Sequence, residues 1–559
     1  MGAPGGTGGP GAGAEGAPQS GTPAPVVQED SSTTNVQEQG IDEPDLVKSR
    51  GSTIFATAGQ QLHAVDASGA APTLLGSLPI EGYGHELLEF EGRALVFSRT
   101  FGQAEPAPAQ NPDAPSSSPF FGQEETLVTE VDTSSPAAMK VVRSERLPGR
   151  FVSARLTGRT ARIVISAPPP ALYDESMRGR VDGWVPRRTL VEADSGESSS
   201  RPIAPCRRVA RAPYFSGLDL LTVLTVDMSK GLPAVDSDAI ESGGEIVYGS
   251  PGSLYVATQR WTPSPESSEA QPPPRAFSAI HAFAASKPGE TSYRASGQVP
   301  GYLLNQFAMS ERNGVLRVAS TETPIWWGAE PEDPGQSYVT TLDQSGGVLT
   351  QLGQVSGLGR GERIYAVRFL DDAGFVVTFR QVDPLYTIDL GNPREPKVLG
   401  ELKILGYSAY LHPLRNDLLL GIGQDATEQG QRQGAALSLF DIRDLSAPTR
   451  LHQKTLEQYS SFEAEYDHHA FLWWPPARLA VLPVQGQELV GAVGYNAGRS
   501  LGIVEAGRAE HAAAEDYKAP IRRSLVVGGR LYTLSDEGLE QNSLTSLAEE
   551  AWLALPRRP

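Results

Sequence analysis

An acidic stretch near the start of the chain holds the first residues that could bind a metal ion. Asp42, Glu43 and Asp45 stand just before the first segment with strand character. Three carboxylates on an irregular segment could bind Ca²⁺, a hard cation that takes oxygen ligands in flexible geometry. The spacing is not that of an EF-hand loop, which favours the alternative of a solvated acidic cap on a strand edge. The preceding run NVQ, at 35–37, could equally form a structural strap.

A second candidate metal site lies in YDHHAFLWW, where Asp467, His468 and His469 are adjacent. Imidazole and carboxylate groups are ordinary ligands of transition metals. Adjacent side chains of a β-strand point to opposite faces, so both imidazoles could bind one ion only if a bulge intervened. We therefore predict that one ring faces the centre of the fold and that the other is a structural group held by hydrogen bonds.

A pair of tryptophans is the third candidate, this time for ligand binding. Trp326 and Trp327 lie side by side in TPIWWGAEPEDPG, a segment rich in Pro and Gly. Such a pair either buries its indoles as an anchor of the fold or presents them to a ligand. The polar residues around the pair favour exposure, so both are predicted ligand-binding residues.

One match to a catalytic motif, G-x-S-x-G, occurs at 498–502. A nucleophile elbow requires a helix after the Ser, with an acid and a His downstream. The sequence LGIVEAG that follows has the character of a strand, so we interpret the match as chance. The sequence predicts no catalytic residue, and Ca²⁺ is the one cofactor that it indicates.

Composition narrows the class of partner. Lys and Arg number 47 and Asp and Glu number 66, which gives a net charge of −19. An acidic chain repels phosphate backbones, which argues against nucleic acid as a partner. Cys206 is the single cysteine, so neither an internal disulfide nor a thiolate metal cluster can form. No apolar run approaches the roughly 20 residues that a membrane helix needs, and we expect a monomer.

Residues 1–32 are predicted to be a disordered tail rich in Gly, Ala and Pro. The tail has no charged start followed by an apolar core, so no signal peptide is visible. Its composition is that of a stalk that tethers an exported domain. We expect the natural start to lie upstream, with a secretion or lipoprotein signal, and the protein to be secreted or held at the cell envelope.

The architecture follows from a sequence motif, here called the phrase, that recurs along the chain. It consists of an alternating apolar run, an Asp, a short turn often with a Pro, and a second apolar run. The Asp residues of the phrase are Asp66, Asp132, Asp227, Asp343, Asp389 and Asp441. The last three are 46 and 52 residues apart, close to the length of a four-stranded propeller blade. The pattern predicts an all-β fold, a single β-propeller of about eight blades with seven to nine possible.

The propeller is predicted to span 33–559. Pro-rich surface loops are expected near 101–123, 167–205 and 262–275, where they lengthen the period without breaking it. The alternative of two packed β-sandwiches predicts a linker in the middle of the chain and no steady period, and the sequence has neither feature.

Several stretches carry a family resemblance beyond this pattern: STTNVQEQGIDEPDLVKSRG from Ser32, YRASGQVPGYLLNQFAMSERNG from Tyr293, and YDHHAFLWW from Tyr466. They resemble a family of secreted bacterial and archaeal β-propeller-domain proteins that are distantly related to WD-type repeats. The resemblance implies a propeller fold and export, and it implies no established activity. Where the family often has Asp-Gly after the Lys, this chain has Arg50 and Gly51.

Two functions of different classes are compatible with these observations. The first is a non-enzymatic binding or scaffold module for a protein, peptide or glycan, and the lack of a complete catalytic set favours it. The alternative is a metal-assisted hydrolase or lyase whose site lies in the central channel, because propellers do host such sites. A purely structural part of a surface assembly is a third interpretation.

Overall fold

The fold is built almost entirely from short antiparallel strands. The computed structural model describes residues 30–102, 124–261, 276–322, 334–379, 383–415, 417–512 and 518–557. Helical structure in this part of the chain consists of three-residue 3₁₀ turns, and no helix among the described residues is long and apolar enough to cross a membrane. The 3₁₀ turns are Pro136–Ala138, Pro170–Leu172, Glu175–Met177, Val181–Gly183, Cys206–Arg208, Gln306–Ala308, Ser345–Gly347, Glu463–Glu465, His468–Ala470 and Pro475–Ala477.

The first three blades follow a two-residue strand, β1 (Ile41–Asp42). Blade 1 contains β2 (Val47–Arg50), β3 (Thr53–Ala58), β4 (Gln61–Asp66) and β5 (Thr73–Pro79). Blade 2 contains β6 (Tyr83–Phe90), β7 (Arg93–Phe101), β8 (Glu124–Asp132) and β9 (Lys140–Pro148), extended at its outer edge by β12 (Arg187–Glu192) and β13 (Ser198–Pro202). Blade 3 contains β10 (Arg150–Thr157), β11 (Thr160–Ala167), β15 (Leu220–Asp227) and β16 (Asp236–Glu241), with β1 inside and β14 (Val209–Arg211) outside.

The middle three blades have four strands each. Blade 4 contains β17 (Ile246–Gly249), β18 (Ser253–Trp261), β19 (Ala276–Ala284) and β20 (Ser292–Pro300). Blade 5 contains β21 (Met309–Arg312), β22 (Val315–Glu322), β23 (Gln336–Asp343) and β24 (Thr350–Leu358). Blade 6 contains β25 (Arg363–Leu370), β26 (Ala373–Phe379), β27 (Asp383–Asp389) and β28 (Lys397–Ile404).

The last three blades complete the ring. Blade 7 contains β29 (Tyr407–Arg415), β30 (Leu418–Ala426), β31 (Arg432–Asp441) and β32 (Thr449–Thr455). Blade 8 contains β33 (Ser461–Phe462), β34 (Leu472–Trp474), β35 (Leu479–Gln485), β36 (Val490–Gly498) and β37 (Gly502–Ala509). A small hairpin of β38 (His511–Ala512) and β39 (Lys518–Ala519) leads to blade 9, which contains β40 (Arg523–Val527), β41 (Arg530–Leu534), β42 (Gly538–Asn542) and β43 (Glu549–Ala554).

The described part of the chain thus forms nine blades, the upper limit of the predicted range. The expectation of eight assumed that the first and last hairpins share one sheet. Instead each forms a sheet of its own, and the ring closes by apolar contact between blades 1 and 9, in which Ile54 and Ala56 share a buried cluster with Leu525 and Val527. Burying apolar surface between whole blades closes the ring without exchanging a strand.

The repeated Asp residues form turns, as the pattern predicts. In five blades the Asp carboxylate accepts a hydrogen bond of 2.9 to 3.1 Å from the backbone N–H two residues later: Asp66 from Ser68, Asp132 from Ser134, Asp227 from Ser229, Asp389 from Gly391 and Asp441 from Arg443. Such Asx turns fix the corner between the third and fourth strands of a blade. Their repetition is therefore a property of the fold and not of a functional site.

The two faces of the ring differ in their connections. Because the first strand of each blade is innermost and neighbouring strands are antiparallel, the first-to-second and third-to-fourth turns lie on one face. We call this the short-turn face. The second-to-third connections and the links between blades lie on the opposite face, the long-loop face. The four longest second-to-third connections, 102–123, 168–219, 262–275 and 323–335, belong to the consecutive blades 2 to 5.

The long connection in blade 3 is the one that the structure describes throughout. It was predicted from its Pro and Ser content as a surface loop near 167–205, and much of it has regular structure. Three 3₁₀ turns lead into the hairpin β12–β13, and β12 pairs with β9 of blade 2 at Thr189 opposite Arg146. The connection of one blade thus covers the outer edge of its neighbour, which protects that edge from pairing with another chain.

A buried histidine in blade 4 makes stability depend on pH. His281 is fully buried. Its Nε2 is hydrogen-bonded to Ser242 Oγ at 2.7 Å, and its Nδ1 is hydrogen-bonded to Ser296 Oγ at 2.6 Å. Burial, with the nearby positive charge of Arg260, lowers the pKa of His281 to about 4. Between roughly pH 6.5 and pH 4, this imidazole is therefore protonated in the unfolded chain but neutral in the folded chain.

We predict that His281 contributes a loss of folding stability as the pH falls through this window, on the order of 3 kcal/mol in total. Urea unfolding of wild type and His281→Asn at pH 7 and pH 4.5 measures the change in the free energy of unfolding between the two pH values. The variant should lose less stability on acidification than wild type, whereas His452→Asn, which changes an exposed imidazole, should behave as wild type. Equal losses in all three proteins would contradict the assignment.

Candidate functional site

The central channel is crossed by the segment that precedes blade 1, residues 30–46, which we call the channel strap. Its hydrogen bonds reach the inner strands of the ring: Ser32 N–H to Val526 O at 2.8 Å, Asn35 Nδ2 to His468 O at 2.7 Å, Gln37 Nε2 to Met309 O at 2.8 Å and Tyr248 Oη to Glu38 Oε1 at 2.7 Å. Beyond these, β1 pairs with the end of β10, and Asp45 exchanges backbone hydrogen bonds with Leu87 of β6. Residues 35–37 thus lie in a structural strap, one of the alternatives that the sequence left open, and the strap ties opposite sides of the ring together.

The innermost strand of blade 8 is broken where the two adjacent histidines lie. Between β33 and β34 the chain makes two 3₁₀ turns, and Asp467 caps the second by accepting the N–H of His469 at 3.0 Å. Since 3₁₀ residues follow one another at about 120°, neighbouring side chains do not alternate between faces. The rings of His468 and His469 therefore lie 4.0 Å apart at 37°. The strand geometry predicted for this pair was wrong, and the interruption that would allow joint ligation is present.

Glu43 joins the two candidate metal sites that the sequence places far apart. Its Oε2 is 3.2 Å from Nε2 of His468 and 3.2 Å from Nε2 of His469. Gln306 Nε2 donates to both oxygens of this carboxylate at 3.0 Å, and Arg155 Nε is 3.9 Å from Oε1. The carboxylate is 3% exposed. A single buried carboxylate thus faces two imidazoles at the centre of the channel.

Neighbouring charges and burial have opposite effects on the pKa values of Glu43 and His469 in this cluster. Burial alone would raise the pKa of Glu43, but Arg155 and the hydrogen bonds from the two histidines hold it well below its usual range. Burial and the neighbouring ring lower the pKa of His468. Burial would also lower the pKa of His469, but hydrogen bonds to the carboxylates of Asp467 and Glu43 raise it to about 10. The cluster is one in which a buried negative charge requires a positive partner.

The other acidic residues of the opening have partners of their own. Asp42 Oδ1 accepts from Lys48 Nζ at 2.6 Å. Asp45 Oδ1 accepts from Arg523 Nε at 2.6 Å, and Arg523 also pairs with Asp467. These two carboxylates raise the pKa of the buried guanidinium against the effect of burial. The three carboxylates grouped as Ca²⁺ ligands therefore face different partners and are not brought together.

Sequence reasoning missed four residues of the channel: Arg155, Gln306, Arg523 and Glu86. Arg155 and Arg523 stand in apolar strand patterns, FVSARLTG and IRRSLVV, where a charge must be paired, and that was a usable signal. Gln306 lies in the family-like stretch that begins at Tyr293. Glu86 shows no signal in the sequence, and burial raises its pKa to about 7.

Exposed aromatic side chains gather on the long-loop face. They lie at strand ends, blade links or the blade 3 connection that belong to this face, or in the break of the blade 8 inner strand: Tyr83, Phe101, Tyr173, Trp184, Phe215, Tyr459 and Tyr466. Among the described residues, Trp552 on the outer strand β43 is the one exposed aromatic elsewhere. Trp326 and Trp327 lie outside the described residues, in the connection between β22 and β23.

A family comparison agrees with this architecture. The family model described as a beta propeller domain matches residues 31–547. The chain belongs to the beta propeller domain family. The match begins inside the channel strap and ends in blade 9, between β42 and β43. This confirms the resemblance seen in the sequence.

Two curated archaeal proteins are similar to long stretches of the chain. An uncharacterized protein of Methanocaldococcus jannaschii is 40% identical over 240 residues, which cover 43% of this chain and 35% of that protein. An uncharacterized protein of Archaeoglobus fulgidus is 43% identical over 215 residues, which cover 37% of this chain and 32% of that protein. The aligned stretch thus spans about a third of the length of each of these curated relatives.

Solved propeller structures resemble the chain only remotely. A periplasmic gluconolactonase of Pseudomonas aeruginosa aligns with a TM-score of 0.36 and 11% identity, over 60% of this chain and 91% of its own. Sqt1 of Saccharomyces cerevisiae aligns with a TM-score of 0.36 and 9% identity, over 85% of this chain and 98% of its own. Likenesses at this level say nothing about function.

Proposed function

We propose that this protein is a non-enzymatic binding or scaffold module that takes a protein, peptide or glycan ligand on its long-loop face. The observation that carries the proposal is that six of the eight exposed aromatic side chains among the described residues lie at strand ends, blade links or the blade 3 connection that belong to that face. Tyr459 and Tyr466 are 72% and 79% exposed. Exposed Tyr, Trp and Phe provide large, rigid contact area and are enriched in binding surfaces.

Neighbouring features of the long-loop face support the same conclusion. The rings of Tyr83 and Phe101 lie 5.8 Å apart, and the Arg260 guanidinium stacks 5.3 Å from the Phe215 ring. Aromatic groups beside Arg are the composition of interface hot spots. The strands joined by the four longest connections end on this face, and loops held by a rigid scaffold are where binding residues concentrate.

The alternative function, a metal-assisted hydrolase or lyase in the central channel, is favoured by the convergence of Glu43 with His468 and His469. Access argues against it. The carboxylate is 3% exposed and each imidazole 14% exposed, because the channel strap fills the space beside them. A substrate would have to displace the strap, whose contacts reach most of the blades. The channel cluster is therefore better suited to holding the ring together.

The stalk-like composition of residues 1–32 supports a place at the cell envelope or outside the cell. Fractionation of the native host, followed by protease treatment of intact cells, tests this part of the proposal. The propeller should appear in the envelope or medium fraction and be cut in intact cells. Recovery with cytoplasmic markers, protected until lysis, would contradict it.

We predict that Tyr459→Ala combined with Tyr466→Ala abolishes most ligand binding and leaves stability unchanged. Loss of two aromatic contacts should weaken binding at least about tenfold, and the side chains are too exposed to stabilise the fold. A glycan array and a peptide library, screened with wild type, supply the ligands, and titration of the selected ligands with each variant measures the effect.

Leu501→Ala combined with Val348→Ala is the matched control for this experiment. Both side chains are 43% exposed and lie in third-to-fourth turns on the short-turn face. The control should bind as wild type does. If the ligands bind the tyrosine variant as tightly as wild type but bind the control more weakly, binding takes place on the short-turn face. The proposal would then fail.

A further inference from the structure

We propose that Glu43, His468 and His469 bind one divalent transition-metal ion, best matched by Zn²⁺, that links the channel strap to blade 8. The inference is independent of the ligand-binding function, because the ion would lie inside the channel and not on the long-loop face. Glu43 comes from the strap, and the two histidines come from the broken inner strand of blade 8. The ion would join residues separated by 425 and 426 positions in the chain.

The spacing of the donor atoms fits such an ion. One ligand atom from each of the three residues lies within 4.8 Å of the others, and Glu43 Oε2 is 3.2 Å from both imidazole Nε2 atoms. Two ligands at about 2.1 Å from a tetrahedral Zn²⁺ are separated by about 3.4 Å. The two distances from Glu43 to the imidazoles are thus already within a few tenths of an ångström of the separation that a shared ion requires.

His469 is oriented as a metal ligand is. Nδ1 of His469 lies 3.1 Å from Asp467 Oδ1, the carboxylate–histidine arrangement that turns the other nitrogen toward a metal. Both nitrogens of this ring thus face carboxylate oxygens. The Nε2 atom is thereby aimed at the Glu43 carboxylate, where an ion shared by the two groups would lie.

The surrounding side chains hold the three ligands in place without an ion. Gln306 Nε2 donates to both Glu43 oxygens, and the His468 ring packs edge-on against Phe307 at 4.9 Å. The backbone oxygen of His468 accepts from Asn35 of the strap at 2.7 Å. Ligands fixed in this way lose little freedom when an ion binds, which favours affinity.

The donor set selects the metal. Two imidazole nitrogens and one carboxylate oxygen suit Zn²⁺ and its neighbours in the first transition row. Ca²⁺ takes six to eight oxygen ligands, and the nearby carboxylates of Asp42 and Asp45 are occupied by Lys48 and Arg523. The cluster therefore favours a transition metal over Ca²⁺.

The test uses the purified full chain, stripped with a chelator and dialysed against Zn²⁺ or Ca²⁺. Mass spectrometry of the metal content should find one equivalent of Zn²⁺ in wild type and in His452→Asn, which changes an exposed imidazole outside the cluster. Glu43→Gln and His468→Gln should lower the affinity at least about tenfold and leave the content below about a tenth of an equivalent. Circular dichroism confirms that each variant is folded.

Asp467→Asn tests the positioning role separately. It keeps the three ligands, so Zn²⁺ should still bind at one equivalent, with an affinity lowered about 10- to 100-fold in calorimetry. Co²⁺ in wild type should give the visible absorption of a site with nitrogen and oxygen ligands, a readout that remains if the ligand variants fail to fold. No Zn²⁺ or Co²⁺ in wild type, binding of Ca²⁺ alone, or full Zn²⁺ content in folded Glu43→Gln would overturn the proposal.

Discussion

Replacing Arg523 by Gln is expected to cost about 3 to 5 kcal/mol of folding stability. The Arg523 guanidinium is 4% exposed and pairs with Asp45, which is 3% exposed, and with Asp467. Without the cation, Asp45 is a buried carboxylate that has lost its ion-pair partner. Removing one member of such a pair costs far more than the pair contributes, because the remaining ion has lost both water and partner.

Arg522→Gln is the matched control, one position earlier in the chain. Its side chain is 39% exposed and lies 3.3 Å from Glu463, so its loss should cost less than about 1 kcal/mol. Urea unfolding followed by fluorescence measures both variants. Similar costs for the two substitutions would show that the Arg523 pairs are not buried in solution.

A triple variant separates the cost of an unpaired charge from a general loss of contacts. Arg523→Met combined with Asp45→Asn and Asp467→Asn removes all three charges at once. Replacing a buried ionic group by neutral groups of similar volume is often neutral or stabilising. The triple variant should therefore be more stable than Arg523→Gln. If it were less stable, hydrogen-bond geometry and not charge pairing would dominate.

Deleting residues 1–45 is expected to prevent the propeller from folding. The strap supplies partners for charged side chains that stay buried in the ring: Lys48, Arg155 and Arg523 are 6%, 4% and 4% exposed. Losing a buried ion-pair partner costs several kcal/mol. The loss of these ion pairs, together with the hydrogen bonds of the strap to the inner strands, approaches the 5 to 15 kcal/mol that stabilises a typical domain.

Deletion of residues 1–29 alone is the control, because the sequence predicts a disordered tail there. This shorter deletion should leave circular dichroism, gel-filtration volume and melting temperature unchanged. The longer deletion should give an aggregated or expanded chain. A compact, cooperatively unfolding protein after the longer deletion would show that the strap fills the channel without stabilising it.

The fold could be predicted because its information is local. Each blade repeats one phrase, and the Asp that ends a third strand forms its turn within two residues, as with Asp389 and Gly391. The number of blades depends on how the two ends of the ring meet. That contact, between Ile54 and Val527, is set by apolar surfaces far apart in the chain, and the phrase does not encode it. Eight was therefore expected where nine are present.

The candidate site could be predicted only in its parts. Glu43, His468 and His469 were singled out by residue type, but their convergence depends on the strap entering the channel. The pairing of the histidines also depended on a 3₁₀ turn at Asp467, where alternation suggested a strand. The apolar pattern around Arg523 indicates a paired charge, but its partner Asp45 is 478 positions away, so no local pattern identifies that partner.

The path of the channel strap has a kinetic consequence. The strap is synthesised before Arg523 and the histidines that receive it, which follow its carboxylates by 425 to 478 positions. It must therefore wait, with its carboxylates solvated, until blades 8 and 9 exist. Contacts of such sequence separation slow folding, since a long loop must close before they form. Docking of the strap is then the step that distinguishes a finished ring from one that lacks its last blade.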